Sequence, residues 1–177
     1  MLKIRTVLMS ILALGISGCG ILPQSTVDAG APSVRVLYQS THCGQTATQP
    51  SGKWINDPAA YERLYGRLRS GDIGASKRHP PPVNFTREGV LWIGMGQKPT
   101  GGYSIDPAES GLEIRADTAT LRVAWSTPPP DAVLAQVITR PCLLLALPKG
   151  GYSRIRVVDL SGRERLEIVI HEAASDP

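Results

Sequence analysis

Two runs of three successive prolines, at 80–82 and 128–130, do most to limit what this chain can fold into. Proline fixes φ and lacks an amide donor, so neither run can lie inside a helix or a central strand. They cut the chain into three pieces, and helical spacing occurs only in the first. There "NDPAAYERLYGRLRSG" (56–71) sets Tyr61, Leu64, Tyr65 and Leu68 at i, i+3, i+4 and i+7, a single apolar stripe. Asn56 or Asp57 can cap this helix, Pro58 suits its first turn and Gly71 its stop. The stripe reads as core packing, a helix lying on a sheet.

Beyond the helix the patterning is β. "VRVLY" (34–38), "GVLWIGM" (89–95), "GLEIRA" (111–116), "ATLRVAW" (119–125) and "AVLAQVI" (132–138) read as strands. "CLLLALP" (142–148) is apolar on both faces, as a central strand covered from both sides requires. "RIRVVDLSGRERLEIVIH" (154–171) reads as a terminal hairpin turning at "DLSG". The expected fold is α+β and mostly β, a small antiparallel, sandwich-like domain of roughly seven short strands with one packed helix.

The first eighteen residues give an address. Lys3 and Arg5, the uncharged apolar run to Ile16 and the small residues Ser17 and Gly18 form a secretory signal, too short for a comfortable membrane span. "ISGC" resembles the bacterial lipobox, which implies cleavage before Cys19 and lipidation of that cysteine. The simpler alternative is an ordinary signal peptide whose first mature residue is a cysteine. Gly20 in place of aspartate favours the outer membrane, periplasm-facing, over retention at the inner one. Residues 19–33 are small, polar and broken by proline, a flexible tether. Residues 34–177 then form one periplasmic domain, large enough for a core.

Charge excludes one class of partner. The chain carries a net +4, two units of which are Lys3 and Arg5 of the signal. With no polybasic run left and few aromatics, nucleic acid is not an expected partner. With Cys19 assigned to lipid, Cys43 and Cys142 remain. An oxidising periplasm permits a bridge between them; the alternative is two separate thiols, with Cys142 a small buried hydrophobe.

Local catalytic signatures do not occur. His42, His79 and His171 are scattered without metal-ligand spacing. No G-x-S-x-G surrounds a serine, and the carboxylates mostly stand beside arginines, as in "GRERLE". The expectation is no enzyme, no metal and no cofactor.

Attention therefore falls on "GMGQKPTGGYSI" (94–105), with four glycines in twelve residues. A phosphate cradle is ruled out: Lys98 precedes the Gly101-Gly102 pair, and the segment leads into a strand instead of a helix. Nucleotide is not an expected ligand. Pro99 disfavours helix at Lys98, Gly101 and Gly102 can take positive φ, and Tyr103 re-enters the sheet. Two readings stand: a tight β-connection serving only the fold, or an exposed tip of Lys98, Pro99 and Thr100 shown to a partner.

"PPPVNFTREGVLWIGMGQKPTGGYSI" resembles the PrcB C-terminal domain family, named for the lipoprotein subunit of a bacterial surface protease complex. The likeness covers about residues 50–160. It is carried by Asn84-Phe85, the strand Val90–Ile93, the run Gly96–Ile105 and Pro141-Cys142. Asn84 replaces an aspartate, and Cys142 stands where an aromatic is common. The resemblance implies a lipid-anchored, non-catalytic accessory protein that binds an envelope protein such as a protease. Binding is expected through the 94–104 loop, with the 126–131 and 139–142 turns beside it; the site residues would be Lys98, Pro99, Thr100, Gly101, Gly102, Tyr103, Arg140 and Pro141. A more distant likeness links Lys98–Tyr103 and Arg140-Pro141-Cys142 to chagasin-type cysteine protease inhibitors, which wedge a narrow loop into the enzyme's cleft. A structural lipoprotein that stabilises its neighbours in the envelope is the remaining alternative.

Overall fold

A computed structural model describes residues 33–44, 46–70 and 79–171. The signal, Cys19, nearly all of the tether and Gly71 lie outside the described residues. Strand β1 (Arg35–Ser40) and β2 (Ser51–Ile55) precede the helix α1 (Pro58–Leu68). They are followed by β3 (Glu88–Gly94), β4 (Ser104–Arg115), β5 (Thr118–Ser126), β6 (Cys142–Pro148), β7 (Arg154–Val158) and β8 (Glu164–Val169). The strands form two four-stranded sheets, ordered β1-β6-β3-β2 and β4-β5-β7-β8.

The first sheet is antiparallel throughout. In the second, β5 and β7 run parallel, because the chain visits the first sheet as β6 between them. The α+β, mostly β, sandwich-like expectation holds, with this one parallel pair added.

Strand β6 binds the layers together through its alternation. Leu143, Leu145 and Leu147 face the second sheet, against Ile105, Leu121, Val123, Ile155 and Val157. Cys142, Leu144 and Ala146 face the other way, against Tyr61, Leu64, Tyr65 and Leu68 of α1. Each fully buried leucine contributes about 1.5–3 kcal/mol, so this strand stabilises both cores at once. The helix is shorter than the sequence spacing suggests. Asp57 caps it by accepting from the amides of Ala59 and Ala60, and Pro58 opens its first turn.

Two strand expectations need revision. Sequence patterning missed β2, whose "SGKWI" carries a glycine and a lysine and lacks a clean alternation. It also placed 132–138 in a strand. In the structure that segment belongs to no sheet, because it must cross the end of the sandwich to carry the chain from β5 to β6. The C-terminal hairpin forms as expected, turning through Asp159–Arg163.

Candidate functional site

Strand register brings three connections to one end of the sandwich. Ser40 pairs with Cys142, Ser51 with Gly94, Gly94 with Cys142, and Ser104 with Ser126. The connections β1–β2 (41–50), β3–β4 (95–103) and β5–β6 (127–141) therefore emerge together. The resulting site is built mostly from backbone.

The base of this end is a disulfide. Cys43 and Cys142 are bridged, with Cα atoms 6.1 Å apart, and both residues are buried. Around it the amide of Cys43 donates to the carbonyl of Arg140 at 3.1 Å, and that of Arg140 to Thr41 at 2.8 Å. Met95 donates to Pro141 at 2.9 Å, tying the third connection to the same point. The bridge closes a loop of about 100 residues, worth about 4–5 kcal/mol of lost chain entropy in the unfolded state.

Above the disulfide, the glycine-rich loop and the 135–139 segment form a short irregular ladder. Lys98 and Thr139 exchange backbone bonds of 2.8 and 3.0 Å, and the Gly101 amide donates to Ala135 at 3.0 Å. The buried Thr139 hydroxyl donates to the Thr100 carbonyl at 2.8 Å. On the other side Gln97 donates to Ala47 at 2.9 Å.

Glycine is required at two of these positions. Gly96 has φ +76°, and a Cβ there would lie 2.5 Å from the Thr48 carbonyl oxygen. Gly102 has φ +86°, with Pro128 and Leu134 side chains 3.0 and 3.1 Å from a Cβ. Gly101 does not take a positive φ, and its nearest neighbour would stand 3.9 Å away. The freedom that sequence reasoning gave to the Gly101-Gly102 pair is thus used at Gly102 and at Gly96.

The expected site residues do come together, with unequal exposure. Pro99 and Gly102 are exposed; Lys98, Thr100, Gly101, Tyr103 and Arg140 are half-buried; Pro141 is buried and presents nothing to solvent. The Lys98 ammonium stands 5.6 Å from the centre of the Tyr103 ring, a cation–π contact worth about 0.5–1 kcal/mol at such a site. Arg140 donates to the Gln97 side-chain oxygen at 2.9 Å. Among the described residues no carboxylate pairs with Lys98 or Arg140. In the 126–131 turn, Pro129, Pro130 and Asp131 are exposed.

Gln97 and Thr139 lie within the expected 94–104 loop and 139–142 turn, but no local pattern marks the hydrogen bonds by which they join the connections. Sequence reasoning missed Val133, Val137 and Ile138 as site residues. These three are exposed apolar residues, and their β-rich pattern had suggested a strand. The histidines do not join the site as a group. His42, His79 and His171 are all exposed, and His42 Nδ1 lies 2.9 Å from the Thr41 hydroxyl. A cavity of about 580 Å3 lies between β1 and β4, where the pairing of β4 with β5 shifts register between Pro107 and Leu112; its lining, which includes Val34, Val36, Pro107 and Leu112, holds no histidine.

Residues 90–148 match the family model described as PrcB C-terminal. The match spans about a third of the chain and leaves out β1, β2, α1 and the terminal hairpin. No curated protein and no solved structure matches the chain. The matched residues run from β3 to the end of β6 and include the Gly96–Tyr103 loop and the Arg140–Cys142 turn, so the likeness to the PrcB C-terminal domain family lies on the strands and connections that build this end of the sandwich.

Proposed function

We propose that this protein is a lipid-anchored, non-catalytic binding subunit of the bacterial envelope, recognising another envelope protein through the Lys98–Tyr103 loop. A protease is the partner that the family resemblance favours. The observation carrying this reading is the construction of the loop end. A buried disulfide and a hydrogen-bonded ladder hold Lys98, Pro99 and Thr100 in one shape at the tip of a rigid sandwich. Loops fixed on a rigid scaffold suit recognition, because little ordering entropy is lost on binding.

The position of the chain's first described residues supports the anchor in the same reading. Ser33 and the start of β1 lie at the opposite end from the loops, since Arg35 pairs with Ala146 and Ser40 with Cys142. Strand β1 alone separates the ends by roughly 20 Å. A lipidated Cys19 would then be tethered to the end of the domain remote from the loops, which leaves the loop end free of the attachment point. Direct protease inhibition has less support. Pro141 and Cys142 are buried, so the Arg140-Pro141-Cys142 turn offers no aromatic side chain to pack on an enzyme.

The test is a crosslinking pull-down from envelopes with the wild-type chain and a Lys98→Ala/Thr100→Ala variant. Loss of one envelope protein from the variant's catch supports recognition by the loop. Recovery of the same partners by both chains, or of none, means that the loop serves only the fold.

A further inference from the structure

The segment 133–138 has the composition of a strand and lacks a strand's second neighbour. Its inner side is satisfied: the Ala135 carbonyl accepts from Gly101 at 3.0 Å and from Val137 at 2.9 Å, the second a tight bend about Gln136 that turns Gln136's own amide and carbonyl outward, and Thr139 exchanges bonds with Lys98. Its outer edge is open. The amides of Leu134, Gln136 and Ile138, alternate residues, have no partner among the described residues. Among the described residues the carbonyls of Gln136 and Ile138 accept nothing, and that of Leu134 accepts only the Gln136 side chain at 3.4 Å. Val133, Val137 and Ile138 stand exposed on the same segment.

An open row of donors and acceptors with apolar β-branched side chains is a template for another strand. Proteins usually blunt such an edge with lysine, proline or a covering loop, yet 131–138 holds neither lysine, arginine nor proline. We infer that the free edge of 134–138 takes up an extended, acidic segment of another protein as an added strand, with its apolar residues on the face of Val133 and Val137 and its acids on the face of Arg140. Main-chain bonds would supply the affinity and alternate side chains the selectivity.

Charge identifies the occupant further. The described parts of the three connections carry Lys98 and Arg140 against one carboxylate, Asp131, and neither cation is ion-paired with a described residue. Such a surface favours an acidic partner. A second copy would return the same two cations, which disfavours self-pairing. This inference rests on the loop end being the recognition site and names the chemistry that the site takes.

The experiment uses the full chain in detergent and three fluorescent octapeptide pools. One alternates Asp or Glu with Val or Ile; a second is the same pool N-methylated at alternate backbone amides; the third replaces its acids with lysine. The acidic pool should bind, N-methylation should weaken it at least tenfold, and the lysine pool should bind more weakly than the acidic one; a lysine pool that binds as well as the acidic one overturns the acidic assignment. Exchange of the Gln136 and Ile138 amides should slow in the complex. Gln136→Pro, which removes the central outward amide, should cost the same tenfold; should that variant not fold, the N-methylated pool reads the same bonds from the partner's side. Absent binding, or equal binding of the methylated pool, overturns strand addition. So does protection of these amides by self-association without peptide. If Lys98→Ala/Thr100→Ala loses the envelope partner while a folded Gln136→Pro keeps it, strand addition fails and loop recognition stands. If neither variant loses it, both fail.

Discussion

Lys98 and Thr139 exchange both of their backbone hydrogen bonds, at 2.8 and 3.0 Å, and so join two connections that arise from different strands. The Thr139 hydroxyl adds a third bond to the Thr100 carbonyl at 2.8 Å. The tip is therefore set from both sides, and its glycines should differ sharply in what they tolerate.

Gly96→Ala should be the most damaging of the loop glycine changes. It combines a positive φ with a 2.5 Å approach to the Thr48 carbonyl, and a cost above about 2 kcal/mol is expected. Gly102→Ala, strained in φ but meeting only side chains, should cost about 1–2 kcal/mol. Gly101→Ala should fall within about 0.5 kcal/mol of wild type. Urea unfolding of the three variants ranks them; equal costs would contradict this geometry.

Replacing both bridged cysteines with alanine should lower stability by about 2–5 kcal/mol. The β1–β2 connection should loosen with it, since the Cys43–Arg140 bond lies beside the bridge. Denaturant midpoints and amide exchange at 41–50 report the two effects separately. An unchanged midpoint in the double variant would show that the bridge contributes no stability.

Asp159 sets an acid limit. It accepts from the Ser161 hydroxyl and amide, the Arg163 amide and the Arg165 guanidinium. These bonds, the Ser161 hydroxyl's foremost, hold its pKa down to about 2 from an ordinary value of 3.8. A depressed folded-state pKa gives stability that is complete above the unfolded value and is lost as pH falls through the folded one. The contribution should therefore decline between about pH 4 and pH 2. Melting curves across that window should fall less steeply for Asp159→Asn than for wild type, and parallel curves would exclude Asp159 as a source of the slope.

Asp57→Ala should cost about 1 kcal/mol, since it leaves the Ala59 and Ala60 amides without their acceptor. Asp57→Asn should recover most of this. Thermal midpoints of the two variants decide it; equal losses would mean that carboxylate charge, not capping geometry, does the stabilising.

What could be read beforehand followed periodicity. The α1 stripe and the terminal hairpin bury residues at intervals and β6 buries a continuous run bounded by prolines, so local pattern revealed all three. Strand β2 escaped because Gly52 and Lys53 interrupt its pattern, while its position depends on pairing with β3. Residues 132–138 misled for the opposite reason: their β-branched composition is real, but a crossing between sheets leaves them no second neighbour. At the loop end, Lys98 to Tyr103 drew notice through their glycines. Thr139 and Gln97 act through contacts with residues distant in the chain, and no local spacing records those.

The central claim is that the loop end, and not the far end, meets a partner. The most direct measurement places a photo-crosslinking residue at position 99 or at position 151, where a side chain at Gly151 would meet nothing within 4 Å. Gly151 lies in the β6–β7 connection at the opposite end. Irradiated envelopes should give one discrete adduct from position 99 and none from position 151. An adduct from 151 alone, or equal adducts from both, would contradict recognition through the Lys98–Tyr103 loop.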